Sequence, residues 1–248
     1  MKVVAVIPAR YHSSRFPGKP LALIGTEPMI AWVYGQVKQV KGIDKVVVAT
    51  DSQKIEKVCQ EKGLNVILTR EDHLTSTERI QEVSNFIEAD LYLVVNGDEP
   101  LIDPKMIAKI IPEELPESDK IFAANLMAKI KDPVEVVDFT NIKVVTDCFS
   151  NAMFFSRSPI PYPKGSMDYD YYKHVGVLIY NKKALDFFAD TPKGPCERIE
   201  DVNEIRFLEN GKKIKMIPVE SKSLSVDTVK DLDHIRQIVK EQHLSCYH

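Results

Sequence analysis

The sequence predicts a doubly wound α/β fold: a mostly parallel sheet in a three-layer α/β/α arrangement. Three observations carry that expectation. β-branched runs of strand length alternate with stretches of helical periodicity, the runs are nearly continuous in apolar residues, and each helical stretch is long enough to return the chain for a parallel neighbour.

The strands expected in the first half are residues 3–7, 46–49, 66–68 and 91–95, all short apolar runs suited to burial on both faces. Between them, Met29, Ile30, Val33, Val37 and Val40 recur at helical spacing after Pro28. Ile55, Val58 and Cys59 do so before Gly63, and Ile80, Val83 and Ile87 after Thr77. The second half is less regular. Strands are expected over 122–128, 142–146 and 153–156, then a proline-stiffened loop over 158–163. A strand over 175–180 follows, then one polar helix centred on 200–208 that ends at Asn210-Gly211. A strand over 214–219 precedes a terminal helix from about Thr228, with Leu232, Ile235, Ile238 and Val239 on one face. No internal repeat or low-complexity linker interrupts the chain. The expected organisation is a single domain over 1–248 with an excursion at about 156–180.

Composition narrows the function. With 33 Lys plus Arg against 36 Asp plus Glu, the net charge of the 248 residues is −3. The chain therefore lacks the overall basic field that a nucleic-acid backbone requires, and no nucleic-acid partner is expected. A small anion held by a local basic loop remains open. No run approaches the roughly 18 apolar residues of a membrane span, and residues 2–7 are too short for a secretory core, so no membrane partner and a cytoplasmic location are expected. Cys59, Cys148, Cys196 and Cys246 lie far apart and form no metal or redox pair, as in reduced structural thiols.

The chemistry concentrates in residues 7–20, IPARYHSSRFPGKP, directly after the first strand. In open α/β sheets ligands bind beyond the carboxyl ends of the strands. Pro8 and Ala9 open this loop, and Arg10, Arg15 and Lys19 can offset the charge of a triphosphate. Neither a Walker A loop nor a dinucleotide fingerprint fits, since Ser13 and Pro20 stand at the wrong places. Asp98, in Asn96-Gly97-Asp98-Glu99-Pro100, sits at the end of an apolar run, where a carboxylate suits a hard divalent cation such as Mg2+. Asp227 supplies a second candidate metal ligand, although an aspartate just before a helix is more commonly an N-cap.

At these residues the chain resembles the 3-deoxy-manno-octulosonate (Kdo) cytidylyltransferases, or CMP-Kdo synthetases, whose usual pattern is IPARxxSxRxPGKPL, then ATD, HxSGTDRI and QGDEP. Ordered matches continue through Ala49-Thr50-Asp51, Gly97-Asp98-Glu99-Pro100, Phe155-Ser156-Arg157-Ser158-Pro159-Ile160-Pro161-Tyr162, His174-Val175-Gly176, Leu208-Glu209-Asn210-Gly211 and Val226-Asp227-Thr228. The resemblance implies a Rossmann-like nucleotidyltransferase fold and attack of a sugar acid's anomeric hydroxyl on the α-phosphate of CTP, releasing pyrophosphate. It implies Mg2+ on Asp98 and Asp227, and catalytic roles for Arg10, Lys19 and Asp98. Pro8, Ala9, Arg10, Arg15, Lys19, Ser76 and Thr77 would bind nucleotide, and Arg79, Asn96, His174, Leu178, Asn203 and Glu204 would face the acceptor. A homodimer and a place in surface polysaccharide or lipopolysaccharide synthesis follow from the same resemblance.

The departures fall around the acceptor. Residues 73–80 read HLTSTERI where the family has HPSGTDRI, Asn96 replaces glutamine, and Leu178 stands where a tyrosine is common. Asn203 and Glu204 take the places of a glutamate and a glutamine, and Ser225 that of a glycine. Buried polar groups discriminate strongly among hydroxyls, so these changes could re-aim the acceptor toward an amino-modified ulosonate or a phosphonate. Drift without a change of substrate is the other outcome. A catalytically silent nucleotide-binding paralogue is a third reading, for which the retained Arg10, Lys19, Asp98 and Asp227 offer no cause.

Overall fold

The computed structural model describes residues 1–12, 16–117, 119–166, 168–221 and 224–246. The chain opens with β1 (Val3–Ala9), a 3-10 turn over Lys19–Leu21 and a hairpin of β2 (Leu23–Ile24) and β3 (Glu27–Pro28). It continues through α1 (Met29–Lys38), β4 (Lys45–Thr50), α2 (Gln53–Glu61), β5 (Val66–Leu68), α3 (Ser76–Phe86) and β6 (Leu91–Val95). Next come α4 (Pro104–Ala108), β7 (Ala123–Lys129), α5 (Pro133–Val137), β8 (Lys143–Thr146) and β9 (Ala152–Ser156). The last third holds β10 (Tyr172–Tyr180), α6 (Lys182–Asp190), α7 (Pro195–Glu200), α8 (Ile205–Glu209), β11 (Lys215–Val219) and α9 (Val229–Glu241).

The main sheet runs β11-β7-β10-β6-β1-β4-β5. β1 pairs in parallel with β4 and β6, as do β4 with β5 and β7 with β11, whereas β10 is antiparallel to its three partners, β6, β7 and β8. The expected parallel crossovers are therefore present, with one reversed strand in the middle. Successive residues of β1 point to opposite faces: Val3, Ala5 and Ile7 join the core under α1, α2 and α4. Val4 and Val6 join the core with Ile80 and Val83 of α3 and Phe188 of α6. Helices thus cover both faces, giving three layers. A smaller cluster seats α9 on Trp32 and Ile24. Among the described residues, no helix is long and apolar enough to cross a membrane.

The structure differs from the sequence reading in several places, and the nine-residue helix α6 is one element that the sequence reading lacks. The expected excursion at about 156–180 stops before β10, which is an interior strand of the main sheet; the segment that branches from the main strand order is the antiparallel β8–β9 pair, joined to the sheet through β8 and β10, with the loop that follows. The expected helix over 200–208 is two helices, α7 and α8, because Asp201 adopts a left-handed conformation (φ 50°, ψ 52°) that ends α7.

Candidate active site

The cavity lies at the carboxyl ends of β1 and β6, where this topology exposes the strand ends. It encloses about 600 Å³ and is lined on one side by Pro8, Ala9, Arg10, His12 and Lys19. Leu74, Thr75 and Ser76 from the start of α3 form another wall, Asn96 and Asp98 the floor, and Asp201 and Asn203 the far side.

Local sequence explains each placement. Gly18 is left-handed (φ 69°) and its N–H donates to the Tyr11 carbonyl at 2.8 Å, closing the loop after β1 and delivering Lys19 to the cavity. A Cβ at Gly97 would stand 3.2 Å from the Pro8 carbonyl oxygen, so glycine lets the tip of β6 lie against the end of β1. The Val226 N–H donates to the Asp98 carbonyl at 2.8 Å, which brings residues 226–227 to the same tip. Thr228 is the N-cap of α9 in a capping box with Asp231, whose carboxylate also accepts the Asp227 N–H at 3.0 Å. Asp227 is therefore not the cap, and its side chain faces inward.

Lys19 joins these parts. Its Nζ lies 3.2 Å from Asp98 Oδ2, 3.7 Å from Asp227 Oδ1 and 2.8 Å from the Val226 carbonyl oxygen. Both carboxylates keep accessible surface, 27 % and 36 % of their side chains. Two hard oxygen donors converging on one cation-bearing point fit Mg2+, which takes one or two carboxylates and completes its shell with phosphate and water. Among the described residues, no group of three or more His, Cys, Asp or Glu forms a larger cage. Burial, with the nearby Arg79 charge, lowers the pKa of Arg10, while Asp51 and Glu78 act the other way; an arginine so placed remains cationic. Arg15 lies outside the described residues.

The structure divides the expected acceptor residues. Asn96 and Asn203 line the cavity, whereas Arg79, His174, Leu178 and Glu204 lie behind it. Arg79 is fully buried and commits its guanidinium to Asp51, with Nη2 2.6 Å from Oδ2, and to the Thr69 hydroxyl. Leu178 alternates into the apolar core with Val94, Met127 and Phe155. Glu204 is buried, 3.9 Å from His174 Nε2. Burial lowers the His174 pKa, an effect that Glu204 partly opposes, and burial followed by the Glu204 charge raises that of Tyr180 well above its ordinary value. Thr77, expected at the nucleotide, is buried beside Tyr180, while its neighbour Ser76 reaches the cavity. The structure adds His12 and Asp201 to the wall. The signal for Asp201 is local: Asp201-Val202-Asn203 sets three poor helix formers in succession where one continuous helix is expected.

A bulge in β10 shapes the floor. Between His174 and Leu178 the pairing with β7 slips, and Asn125 fills the gap by donating its Nδ2 to the Val175 and Val177 carbonyls at 2.8 and 2.9 Å. Gly176 is thereby pressed under Asn96, whose N–H donates to the Gly176 carbonyl at 2.9 Å.

Known proteins resemble this chain over nearly its whole length. A family model described as cytidylyltransferase matches residues 4–214. A 3-deoxy-manno-octulosonate cytidylyltransferase of Syntrophotalea carbinolica is 43 % identical over 94 % of this chain and 96 % of its own. An 8-amino-3,8-dideoxy-manno-octulosonate cytidylyltransferase of Shewanella frigidimarina is 40 % identical, with the same coverage. Among solved structures, a CMP:2-keto-3-deoxy-manno-octonic acid synthetase complexed with CTP superposes with a TM-score of 0.91 at 36 % identity, covering 98 % of this chain and 100 % of the other. The doubly wound α/β fold, the cavity at its strand ends and these near full-length matches together show that the chain belongs to the 3-deoxy-manno-octulosonate cytidylyltransferase family.

Proposed function

We propose that the protein transfers CMP from CTP to the anomeric hydroxyl of 3-deoxy-manno-octulosonate or a close relative, releasing pyrophosphate. The observation that carries this reading is the convergence of Lys19, Asp98 and Asp227 at one end of a cavity that also holds Arg10. Arg10 and Lys19, with Arg15 on the same loop, bind the triphosphate and offset its charge; Lys19 stabilises the charge that develops at the α-phosphate. Asp98 and Asp227 would hold Mg2+, which when bound would supply neutralisation of phosphate charge. Ser76 and the backbone of Pro8 and Ala9 seat the nucleoside, and Asn96 and Asn203 hold acceptor hydroxyls. Transfer of this kind depends on positioning and electrostatics, and no covalent enzyme intermediate is required.

The chain acts in the cytoplasm, supplying an activated sugar for surface polysaccharide or lipopolysaccharide, and works as a homodimer. Support for a partner surface comes from α5, which buries none of its residues and leaves Val134 and Val137 exposed beside the exposed Phe139. The test is pyrophosphate release with Mg2+ and CTP against a panel of acceptors, including the 8-amino sugar named for the Shewanella relative. Release with 3-deoxy-manno-octulosonate is expected; release with only the 8-amino sugar would reassign the acceptor, and silence with every acceptor would refute the catalytic reading.

A further inference from the structure

The run Ser156-Arg157 ends β9 outside the cavity, yet its polar atoms converge on the junction between α7 and α8. Ser156 Oγ donates to Glu200 Oε1 at 2.6 Å, and the Arg157 N–H donates to Glu200 Oε2 at 2.8 Å, so both carboxylate oxygens are engaged. The Arg157 guanidinium binds backbone instead. Nε donates to the Glu200 carbonyl at 2.6 Å, Nη2 to the Asp201 carbonyl at 3.1 Å and Nη1 to the Phe139 carbonyl at 3.1 Å. The Phe139 turn is itself fixed, because the buried Lys143 donates to the carbonyls of Asp138 at 2.8 Å and Asn141 at 2.6 Å. On the inner side, the buried Arg206 forks onto Glu197, with Nε and Nη2 at 2.7 and 2.6 Å, and ties α8 to α7. The junction is clamped from both sides. At that junction Asp201 holds a backbone conformation uncommon for a residue with a side chain, and Asp201 and Asn203 face the cavity.

We propose that Arg157 and Glu200 are positioning residues for the acceptor half of the site. Resting on the functional reading above, they fix where Asp201 and Asn203 stand. The nucleotide half, built on the β1 loop and the start of α3, is attached elsewhere. Arg157→Lys keeps the charge but loses the planar fork that spans two segments, and Glu200→Gln removes one acceptor oxygen from the pair. Each variant is expected to raise the KM for whichever acceptor the wild type uses by about tenfold, because displacing a wall weakens every contact it makes. The KM for CTP stays within about twofold, a split that a general loss of structure does not give. Amide hydrogen exchange tests the clamp without turnover: residues 199–204 should exchange at least about fivefold faster in Arg157→Lys, with residues 6–12 unchanged. Equal rises in both KM values, no rise in either, or unaltered exchange at 199–204 would each overturn the proposal. Wild-type silence with every acceptor would count against the functional reading alone, and exchange would still decide the clamp.

Discussion

Gly176→Ala tests the floor of the cavity most directly. A Cβ built there would stand 2.5 Å from Asn96 Nδ2, 2.9 Å from Cγ and 3.0 Å from Cβ, whereas ordinary contacts begin at 3.4 Å. The shortfall is about 0.9 Å at the amide nitrogen and about 0.4 Å at Asn96 Cβ. Rotating Asn96 relieves the first and not the second. The remainder must be taken up by backbone that the Asn96 N–H bond to Gly176 holds in place. Overpacking of this kind costs about 1 to 3 kcal/mol, which for a chain of this size lowers Tm by about 2 to 12 °C. Turning Asn96 out of the cavity should also raise the acceptor KM by about three- to tenfold. Adding Asn96→Ala removes the amide and Cγ contacts, so the double variant should regain more than half of the lost Tm while its acceptor KM stays high. Thermal melting and steady-state kinetics on the four proteins of the cycle read both quantities. A Gly176→Ala protein that melts like wild type, or a double variant no more stable than the single, would refute the reasoning.

Asp98→Asn and Asp227→Asn should each reduce turnover by at least about a hundredfold with melting unchanged; full activity in either removes that carboxylate from the metal site. Glu197→Gln should destabilise the fold by about 3 to 5 kcal/mol, because it leaves the buried Arg206 charge without its partner; a denaturation midpoint unmoved from wild type would show the pair to be dispensable. His174 is held neutral by burial, with its folded pKa below the ordinary 6.5. The unfolded chain therefore binds the proton first, so this residue's contribution to stability is full above pH 6.5 and is lost as pH falls through the folded value. Melting between pH 7.5 and 5 should show a decline that His174→Gln reduces, and equal slopes in the two proteins would exclude His174 as its source.

The first half of the fold was legible because its strands are short apolar runs: residues 66–68 and 91–95 match β5 and β6 end to end, although only β6 is buried throughout and the edge strand β5 leaves Leu68 exposed. The direction of β10 was not legible, since it is decided by pairing with β6 across some 80 residues and leaves no local period. The break between α7 and α8 had a local signal in the poor helix formers at 201–203, whereas the bonds that Arg157 makes to the Glu200 and Asp201 carbonyls leave no trace in the sequence. By contrast, α6 carries an ordinary local signal, an Asn181 cap followed by Ala184, Leu185 and Phe188, which the sequence reading passed over. In the site, residue types at strand ends pointed to Lys19, Asp98 and Asp227, which the structure brings together. The acceptor residues divided differently because sequence position cannot tell the side of a strand that faces a cavity from the side that faces the core, as Leu178 shows.

The reversed strand also bears on how the chain is made. Val94 pairs with Leu178, 84 positions later. At about 5 to 20 residues per second, β6 emerges about 4 to 17 seconds before the strand that covers its outer edge. During that interval the fully apolar run Leu91–Val95 presents an unpaired edge, the geometry most prone to pairing with another nascent chain. The delay belongs to the strand order, so it is the same whichever sugar the finished cavity accepts.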